Sequence, residues 1–183
     1  MIRLKNDDQI AAIRKSCHEL ADLFNEIIPR VKPGVSTKEI DDWCVDFIRK
    51  HGGKPAWHSE GFPGAACISI NEQVIHGVPS KKVFVEDGDL VSLDIGINLN
   101  GYISDSTHTV MVGNVAKEHQ KLVRVTRECL AAGIQACVRG NRISDISNAV
   151  YDIAYKQNGY GVVYEYCGHG VGLDVHEDPS IAN

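Results

Sequence analysis

Asp94 and Asp105 flank an Asn-Leu-Asn-Gly segment that predicts a tight β-hairpin turn between two strands. A loop at residues 99–100 would place the two aspartates directly opposite each other. A loop at residues 100–101 would instead pair Asp94 with Thr107 and leave the other aspartate on the diagonal. Because side chains alternate between the faces of a strand, either register puts both carboxylates on the same face of the hairpin.

Two carboxylates this close repel each other unless they share a proton or a cation. Asp94 also lies in the apolar run Leu90–Ile95, where an unpaired buried carboxylate would be costly. Oxygen-rich sites suit Mn, Mg, Co or Fe better than ions that prefer thiolates. We therefore predict a divalent metal site on this face, the alternative being a turn that carries ordinary surface aspartates.

The glycine-rich stretch Cys167–Pro179 is a second candidate, because it holds His169 and His176 directly after a segment with strand character. Glycine allows a backbone to approach a ligand closely. Imidazole can ligate a divalent ion, donate a hydrogen bond to a developing oxyanion or carry a proton, so the stretch suits a hydrolytic metal site. The plainer interpretation is a glycine-rich loop with incidental histidines.

A third candidate is His76, which we place at the end of a strand and before the turn Gly77–Pro79. A single histidine in a turn is more often structural than catalytic, so its role depends on which side chains lie beside it. The remaining histidines have no comparable setting: His18, His51, His58, His108 and His119.

The composition of the 183-residue chain is that of a globular protein, with 43% hydrophobic and 23% charged residues. Its net charge of -5 argues against a general binder of nucleic acid or anionic membranes, because such binding depends on a basic face. Neither a signal peptide nor a spanning run of about 20 apolar residues is evident, so we expect a cytoplasmic protein. The six cysteines form no CxxC pair. We expect them to be reduced, with the four in helical patterns buried as small apolar side chains.

These candidates need a scaffold of helices and strands, which the apolar periodicity of the chain predicts. Helices are expected over Asp7–Ile28, from the capping box of Ser36 and Glu39 to just before Gly52, over Lys117–Val138, and, capped by Ser144, over Asp145–Gln157. Strands are expected over Cys67–Asn71, Leu90–Asn98, Tyr102–Val112 and Val162–Tyr166.

The order helix, helix, strand occurs twice, which indicates an internal duplication. Gly34–Ile40 and Gly140–Ile146 are offset by 106 residues, and each junction carries a glycine, a capping serine, an acidic residue and an isoleucine. The first half continues through a hairpin, whereas the sequence ends before the expected counterpart of that hairpin. We therefore expect one domain over 1–183, with a first half over about 1–113 and an incomplete second half over about 114–183.

Three sets of residues together resemble, in order and spacing, the signature of type I methionine aminopeptidases, metal-dependent enzymes that remove the initiator methionine. The sets are Ile68–Glu72 with His76–Pro79, Asp94–Gly96 with Asp105–Thr107, and Gly168–Gly172 with His176–Glu177. The resemblance covers essentially the whole chain. It implies the α+β pita-bread fold, in which two pseudo-symmetric αβ halves surround a metal centre.

The resemblance implies a metal centre in which Asp94, Asp105 and His169 correspond to ligands of two divalent ions, drawn from Mn, Fe, Co or Zn. The implied reaction is hydrolysis of the first peptide bond by water that the metal activates. The implied substrates are nascent polypeptide N-termini and peptides that begin with Met, so association with the ribosome is also expected. We do not expect direct contact with nucleic acid or a membrane.

Four further roles follow from the same resemblance. His76 and His176 correspond to catalytic histidines that contact the substrate and the tetrahedral intermediate. Phe62 and Cys67 correspond to positions that line the pocket for the methionine side chain.

The resemblance also implies two glutamate ligands, one of them the general base, on strands that follow the histidine loop. Glu177 is the last glutamate of the sequence and matches neither position. We therefore expect an incomplete ligand set, which puts the activity of this chain in question. An open sheet edge would also favour self-association.

Two alternatives stay open. Xaa-Pro aminopeptidases and prolidases share the Ser-Asp-Ser/Thr and Gly-His-Gly elements, and Ser104 before Asp105 is commoner among them, but Asn71–Pro79 favours methionine removal. The other alternative is a pita-bread module that binds a partner without catalysis.

Overall fold

The computed structural model describes residues 1–183 and contains four α-helices and six strands. The helices are α1 (Asp7–Ile27), α2 (Thr37–Lys50), α3 (Lys117–Ala136) and α4 (Ile143–Tyr151). The strands are β1 (Lys54–Pro55), β2 (Ala66–Ile70), β3 (Leu90–Leu99), β4 (Tyr102–Met111), β5 (Gly168–Gly170) and β6 (Glu177–Ile181). A π-helical segment, Asp152–Gln157, continues α4. None of the helices combines the length and the apolar character that crossing a bilayer requires.

Capping boxes start both helices of the first half. The Asn6 side chain accepts a hydrogen bond from the Gln9 N–H at 2.9 Å, and the Gln9 side chain accepts one from the Asn6 N–H at 3.0 Å. Ser36 and Glu39 form the predicted box of α2, in which Glu39 Oε2 accepts from the Ser36 N–H at 2.9 Å. Because Pro29 has no N–H to continue the ladder, α1 ends just before it.

A four-stranded antiparallel sheet is built around β3. Strands β1 and β2 pair with one edge of β3, and β4 pairs with the other. Asn100 and Gly101 form the two-residue loop between β3 and β4, and both have positive φ values, 56° and 90°. Positive φ at both positions is the requirement of a type I′ hairpin turn.

The alternation of β3 separates the core from the candidate site. Its odd-numbered residues are buried beneath α1 and α2, and the main core contains Leu23, Ile27, Ile40, Ile48, Ile68, Val91, Leu93, Ile95 and Ile97. Ser92, Asp94 and Gly96 point to the opposite face of the sheet. The helices therefore cover one face of β3, and the opposite face carries Asp94 of the candidate site.

The chain divides into two compact units. One unit, which we call the hairpin unit, contains residues 3–116 together with residues 171–175. The other, the helical unit, contains residues 1–2, 117–170 and 176–183.

Within the helical unit, α3 packs closely against α4. A Cβ on Gly133 would lie 3.4 Å from the Val150 side chain and 3.5 Å from that of Ile146, which are ordinary van der Waals distances. The Cys129 thiol donates to the Val150 carbonyl at 3.7 Å. Strands β5 and β6 form a short antiparallel ladder in the same unit.

The predicted cap of α4 is wrong. The helix begins at Ile143 and its N-cap is Arg142, whose N–H donates to the Asp145 carboxylate at 2.7 Å. Ser144 therefore lies inside the first turn. At the 106-residue offset, the counterpart of Ser36 is Arg142, so the repeat keeps the acidic half of the capping box and not its serine.

The strand predicted over Val162–Tyr166 is absent, since these residues form a turn and irregular backbone. Their β-branched and aromatic side chains are typical of a strand, but no strand of the structure pairs with them, and Tyr164 is 78% exposed.

The prediction that all four helical cysteines are buried is also wrong. Cys17 is exposed because it lies beside Ser16 and off the buried stripe of α1. Cys137 is exposed because α3 ends at Ala136.

Candidate metal centre and methionine pocket

Asp94 and Asp105 lie on the same face of the β3–β4 hairpin in the diagonal register. Asp94 is opposite Thr107, and Asp105 is opposite Gly96. The structure thus adopts the second of the two predicted registers, and the shared face that both registers predicted is confirmed. Both aspartates are half-buried.

Two hydrogen bonds and one tight contact hold Asp94 in place. Thr107 Oγ1 donates to Asp94 Oδ1 at 3.0 Å, and Trp57 Nε1 donates to the Asp94 backbone carbonyl at 3.1 Å. A Cβ on Gly96 would lie 3.1 Å from the Trp57 ring and 2.9 Å from Ala56 Cβ. Glycine at this position therefore lets the indole lie against β3.

Cys67 lies directly opposite Asp94 on the neighbouring strand β2. Burial, and then the charges of Asp94 and Asp105, raise the pKa of the Cys67 thiol to about 12. The thiol consequently stays protonated at neutral pH. The same effect shows that the two carboxylates create a negative potential on this face, which a divalent cation would neutralise.

A small apolar cluster surrounds Cys67. Its buried members are Ala56, Trp57, Cys67, Ile103 and Val175, and Phe62 and Val171 pack against them. The structure therefore places Phe62 and Cys67, the two positions assigned to a methionine pocket, in one cluster beside Asp94. We call this set the pocket cluster.

His76 does not end a strand as predicted, because β2 stops at Ile70 and His76 lies in the loop that follows. Its φ is +59°, a left-handed conformation that non-glycine residues rarely adopt. The loop folds back onto β2, where the Gly77 carbonyl accepts from the Ile68 N–H at 2.8 Å. The Ser69 hydroxyl accepts from the Gly77 N–H at 3.1 Å. These bonds fix the backbone on one side of an exposed histidine.

His169 and His176 lie close together in the helical unit. Their ring centroids are 4.4 Å apart, with an angle of 47° between the ring planes. His169 Nδ1 is 2.9 Å from the Gly170 carbonyl oxygen, which can only accept, so Nδ1 carries the proton. In the neutral ring the lone pair is then on Nε2, the arrangement typical of a metal-binding histidine.

The donor chemistry of these residues fits a divalent cation. Two carboxylates on one face supply oxygen ligands, and His169 supplies an imidazole nitrogen, all of which first-row divalent metals accept. No group of three or more histidine, cysteine, aspartate or glutamate side chains converges closely enough in the structure to enclose an ion. The aspartates belong to the hairpin unit and the histidines to the helical unit.

Sequence reasoning missed the other five members of the pocket cluster: Ala56, Trp57, Ile103, Val171 and Val175. Residue type gave no signal for them, because they meet only when segments distant in sequence pack together. Trp57 alone carries a hint, since a buried indole needs an acceptor for its N–H and the strand of Asp94 provides one.

Comparison with known proteins identifies the relatives of this chain. The model of metallopeptidase family M24 matches residues 11–183. A methionine aminopeptidase from Treponema pallidum is 63% identical over 183 residues, which are 100% of this chain and 71% of that protein.

Solved structures agree with the sequence comparison. A methionine aminopeptidase from Thermotoga maritima superposes with a TM-score of 0.96 at 34% identity, over 100% of this chain and 74% of that one. A prolidase from Pyrococcus furiosus superposes with a TM-score of 0.87 at 27% identity, over 98% of this chain and 52% of that one. The predicted pita-bread fold is confirmed. The chain belongs to metallopeptidase family M24 and, within it, to the methionine aminopeptidases.

Proposed function

We propose that the chain acts in the metal-dependent removal of N-terminal methionine from nascent proteins and peptides. The observation that carries this proposal is the position of Asp94 and Asp105 on one face of the hairpin, directly beside the pocket cluster of Phe62 and Cys67. A carboxylate pair suits a divalent metal, and a neighbouring apolar wall suits an unbranched side chain. Hydrolysis next to an N-terminal methionine needs both.

The pocket cluster would take the methionine side chain. A thioether is flexible and polarisable, and it packs well against aromatic rings such as Trp57 and Phe62 and against the Cys67 thiol. Because Cys67 on β2 lies directly opposite Asp94 on β3, a side chain held at Cys67 brings the start of the peptide towards the carboxylates.

Asp94, Asp105 and His169 would hold the metal. We propose two divalent ions, chosen from Mn, Fe, Co and Zn, all of which accept carboxylate and imidazole ligands. When bound, the metal would supply Lewis acidity for hydrolysis of the first peptide bond. Thr107 fixes the orientation of the Asp94 carboxylate, and the Gly170 carbonyl selects the tautomer of His169.

His76 and His176 would contact the substrate. An imidazole can donate to the oxygen of a developing tetrahedral intermediate, where a hydrogen bond is strongest. The left-handed backbone of His76 supports such a role, because residues held in sparsely populated conformations cluster at functional sites.

The proposed setting is the cytoplasm, where nascent chains emerge from the ribosome. Six free cysteines suit a reducing compartment of this kind.

We also propose self-association through the outer edge of β4, which pairs with no further strand. A purely monomeric species in sedimentation velocity would contradict self-association and leave the peptidase proposal intact.

A specificity assay tests the proposal against its two alternatives. With Mn²⁺ or Co²⁺ added, we expect cleavage of a Met-Ala-Ser peptide and no cleavage of a peptide that carries proline in second place. Preferential cleavage of the proline peptide would identify an Xaa-Pro aminopeptidase. Tight binding of the methionyl peptide without cleavage would favour either the non-catalytic module or a metal centre with an incomplete ligand set.

A further inference from the structure

Asp41 is a buried carboxylate of α2, within the hairpin unit, and is only 3% exposed. A charge in such a place is costly unless it is paired and hydrogen-bonded. Its Oδ1 atom accepts hydrogen bonds from the Ala65 N–H at 2.7 Å and the Ala66 N–H at 3.2 Å. Its Oδ2 atom accepts one from Lys38 Nζ at 3.2 Å. Two backbone amides and one ammonium group therefore offset the burial of this charge.

The ladder between β2 and β3 does not provide for these two amides. It begins at the pair of Ala66 with Ile95, so Ala65 precedes it. The Ala66 N–H donates to Asp41 on α2 rather than to β3. Both alanines are fully buried, at 0% exposure, so water cannot replace the carboxylate as the acceptor. Asp41 thus anchors the chain where it enters β2.

The segment that Asp41 anchors begins at Phe62 of the pocket cluster. At that end, the Phe62 N–H donates to the Trp57 carbonyl at 3.2 Å. The Phe62 ring lies against Gly64, where a Cβ would be 3.1 Å from Phe62 Cε1 and 3.0 Å from Asp41 Oδ1. Gly64 is therefore in close contact with the buried carboxylate and with the aromatic ring of the pocket cluster.

We propose that Asp41 is a positioning residue for the methionine pocket. By anchoring Ala65 and Ala66 it fixes the start of β2, and with it the separation between the Phe62 ring and the Cys67 thiol. A fixed separation lets an apolar pocket select by shape, so that the unbranched methionine side chain fits better than the branched side chain of leucine. This selectivity rests on the proposed function, whereas the anchoring does not.

Three variants separate the acceptor role of Asp41 from its charge. Asp41→Ala removes the acceptor, and Asp41→Asn keeps one acceptor oxygen without the charge. Asp42→Ala is the matched control, because Asp42 is the next residue of α2 and its exposed carboxylate also accepts from Lys38. This control removes a negative charge from the same helix and leaves the bonds to the two alanine amides in place.

The first readout is amide hydrogen exchange measured by NMR. Exchange at Ala65 and Ala66 is referred to the Leu93 amide of the central strand β3, so that a general loss of stability cancels. We expect both alanine amides to exchange at least about tenfold faster in Asp41→Ala than in the wild type. In Asp42→Ala they should stay within about threefold of the wild type, and Asp41→Asn should lie between the two.

The second readout is side-chain selectivity, the ratio of the dissociation constants of leucinamide and methioninamide. NMR titration with Zn²⁺ present measures both constants on each variant. We expect the wild type and Asp42→Ala to favour methioninamide at least about tenfold, a preference that one pocket can supply. Asp41→Ala should reduce this preference at least about threefold. A general loss of stability weakens the binding of both ligands equally and leaves the ratio unchanged.

Equal exchange of the two alanine amides in Asp41→Ala and Asp42→Ala would overturn the proposal. An unchanged preference for methioninamide in an Asp41→Ala protein with accelerated exchange would overturn it as well. If Asp41→Ala fails to fold, Asp41→Asn takes its place with an expected acceleration of at least about threefold, and exchange equal to that of Asp42→Ala would then overturn the proposal. Accelerated exchange in the variants, with a wild type that binds both amides equally, would refute the methionine pocket of the proposed function and support the anchoring by Asp41.

Discussion

The residues around Asp94 form an apolar cluster beside two negative charges, those of Asp94 and Asp105. The aspartates could be predicted from sequence, because a carboxylate within an apolar strand is costly unless it has a partner. Trp57 could not, because its hydrogen bond to Asp94 joins segments 37 residues apart. Nor could the left-handed backbone of His76, which depends on the return of its loop to β2.

The cysteines should separate into two classes of reactivity. Exposed thiols react readily, whereas burial both shields a thiol and raises its pKa, so that little thiolate forms. With Ellman's reagent at pH 8 we expect rapid reaction of Cys137 and Cys167 and slower reaction of Cys17, Cys44, Cys67 and Cys129, because burial raises the pKa of each of these four thiols. In guanidinium chloride all six should react. Mass-spectrometric mapping of a rapidly labelled Cys44 would contradict the core described above.

Gly77→Ala should destabilise the fold by about 1–3 kcal/mol, because overpacking forces the backbone to shift. A Cβ at Gly77 would lie 2.0 Å from the Ile68 carbonyl oxygen, so the loop of His76 would have to leave β2. Urea unfolding measures the loss. Gly161→Ala is the control, since a Cβ there would meet no atom within 4 Å. Equal stability of the two variants would contradict the close packing of this loop.

The pH dependence of stability should carry the signature of Cys44. Burial raises the pKa of this thiol, so the folded protein keeps the proton above about pH 9 while the unfolded chain, with an ordinary thiol pKa, releases it. The unfolded state then binds fewer protons, and the free energy of unfolding falls as pH rises. Urea titrations at pH 7.5 and pH 10 should show a smaller decrease for Cys44→Ala than for the wild type. An identical decrease would contradict the expectation.

For the hairpin of β3 and β4, the sequence determined the face on which the aspartates lie but left two registers open. Alternation alone fixed the shared face of Asp94 and Asp105, whatever the register. The register itself could have been chosen, because a type I′ loop requires positive φ at both positions, which Asn100 and Gly101 tolerate and Leu99 does not. The cap of α4 was misplaced because serine, the commoner capping residue, lies two positions after the observed N-cap Arg142.

Two serine substitutions test the capping of α2 and α4. Ser36→Ala should cost about 1 kcal/mol in the free energy of unfolding, because the Ser36 hydroxyl accepts from the Glu39 N–H at the start of α2. Ser144→Ala should be neutral or slightly stabilising, because alanine is the better residue within a helix. Comparable losses in chemical denaturation of both variants would restore Ser144 as a cap.

For the whole molecule, the ordered motifs and the repeated helix pair identified the fold, and the solved relatives confirm it. Local pattern could not foresee that Val162–Tyr166 forms no strand, because a strand depends on a neighbour as well as on its own residues. The same holds for the segment Val171–Val175. The residue types of this segment can be read from the sequence, but its position depends on contacts with α1 and β4.

Calorimetric titration with Mn²⁺ measures whether Asp94 and Asp105 bind a divalent metal. We expect binding by the wild type that weakens at least about tenfold, or about 1.4 kcal/mol, in Asp94→Asn and in Asp105→Asn. Asp46→Asn, which removes an exposed carboxylate of α2, should bind like the wild type. Wild-type affinity in the Asp94 and Asp105 variants would contradict metal binding by these aspartates.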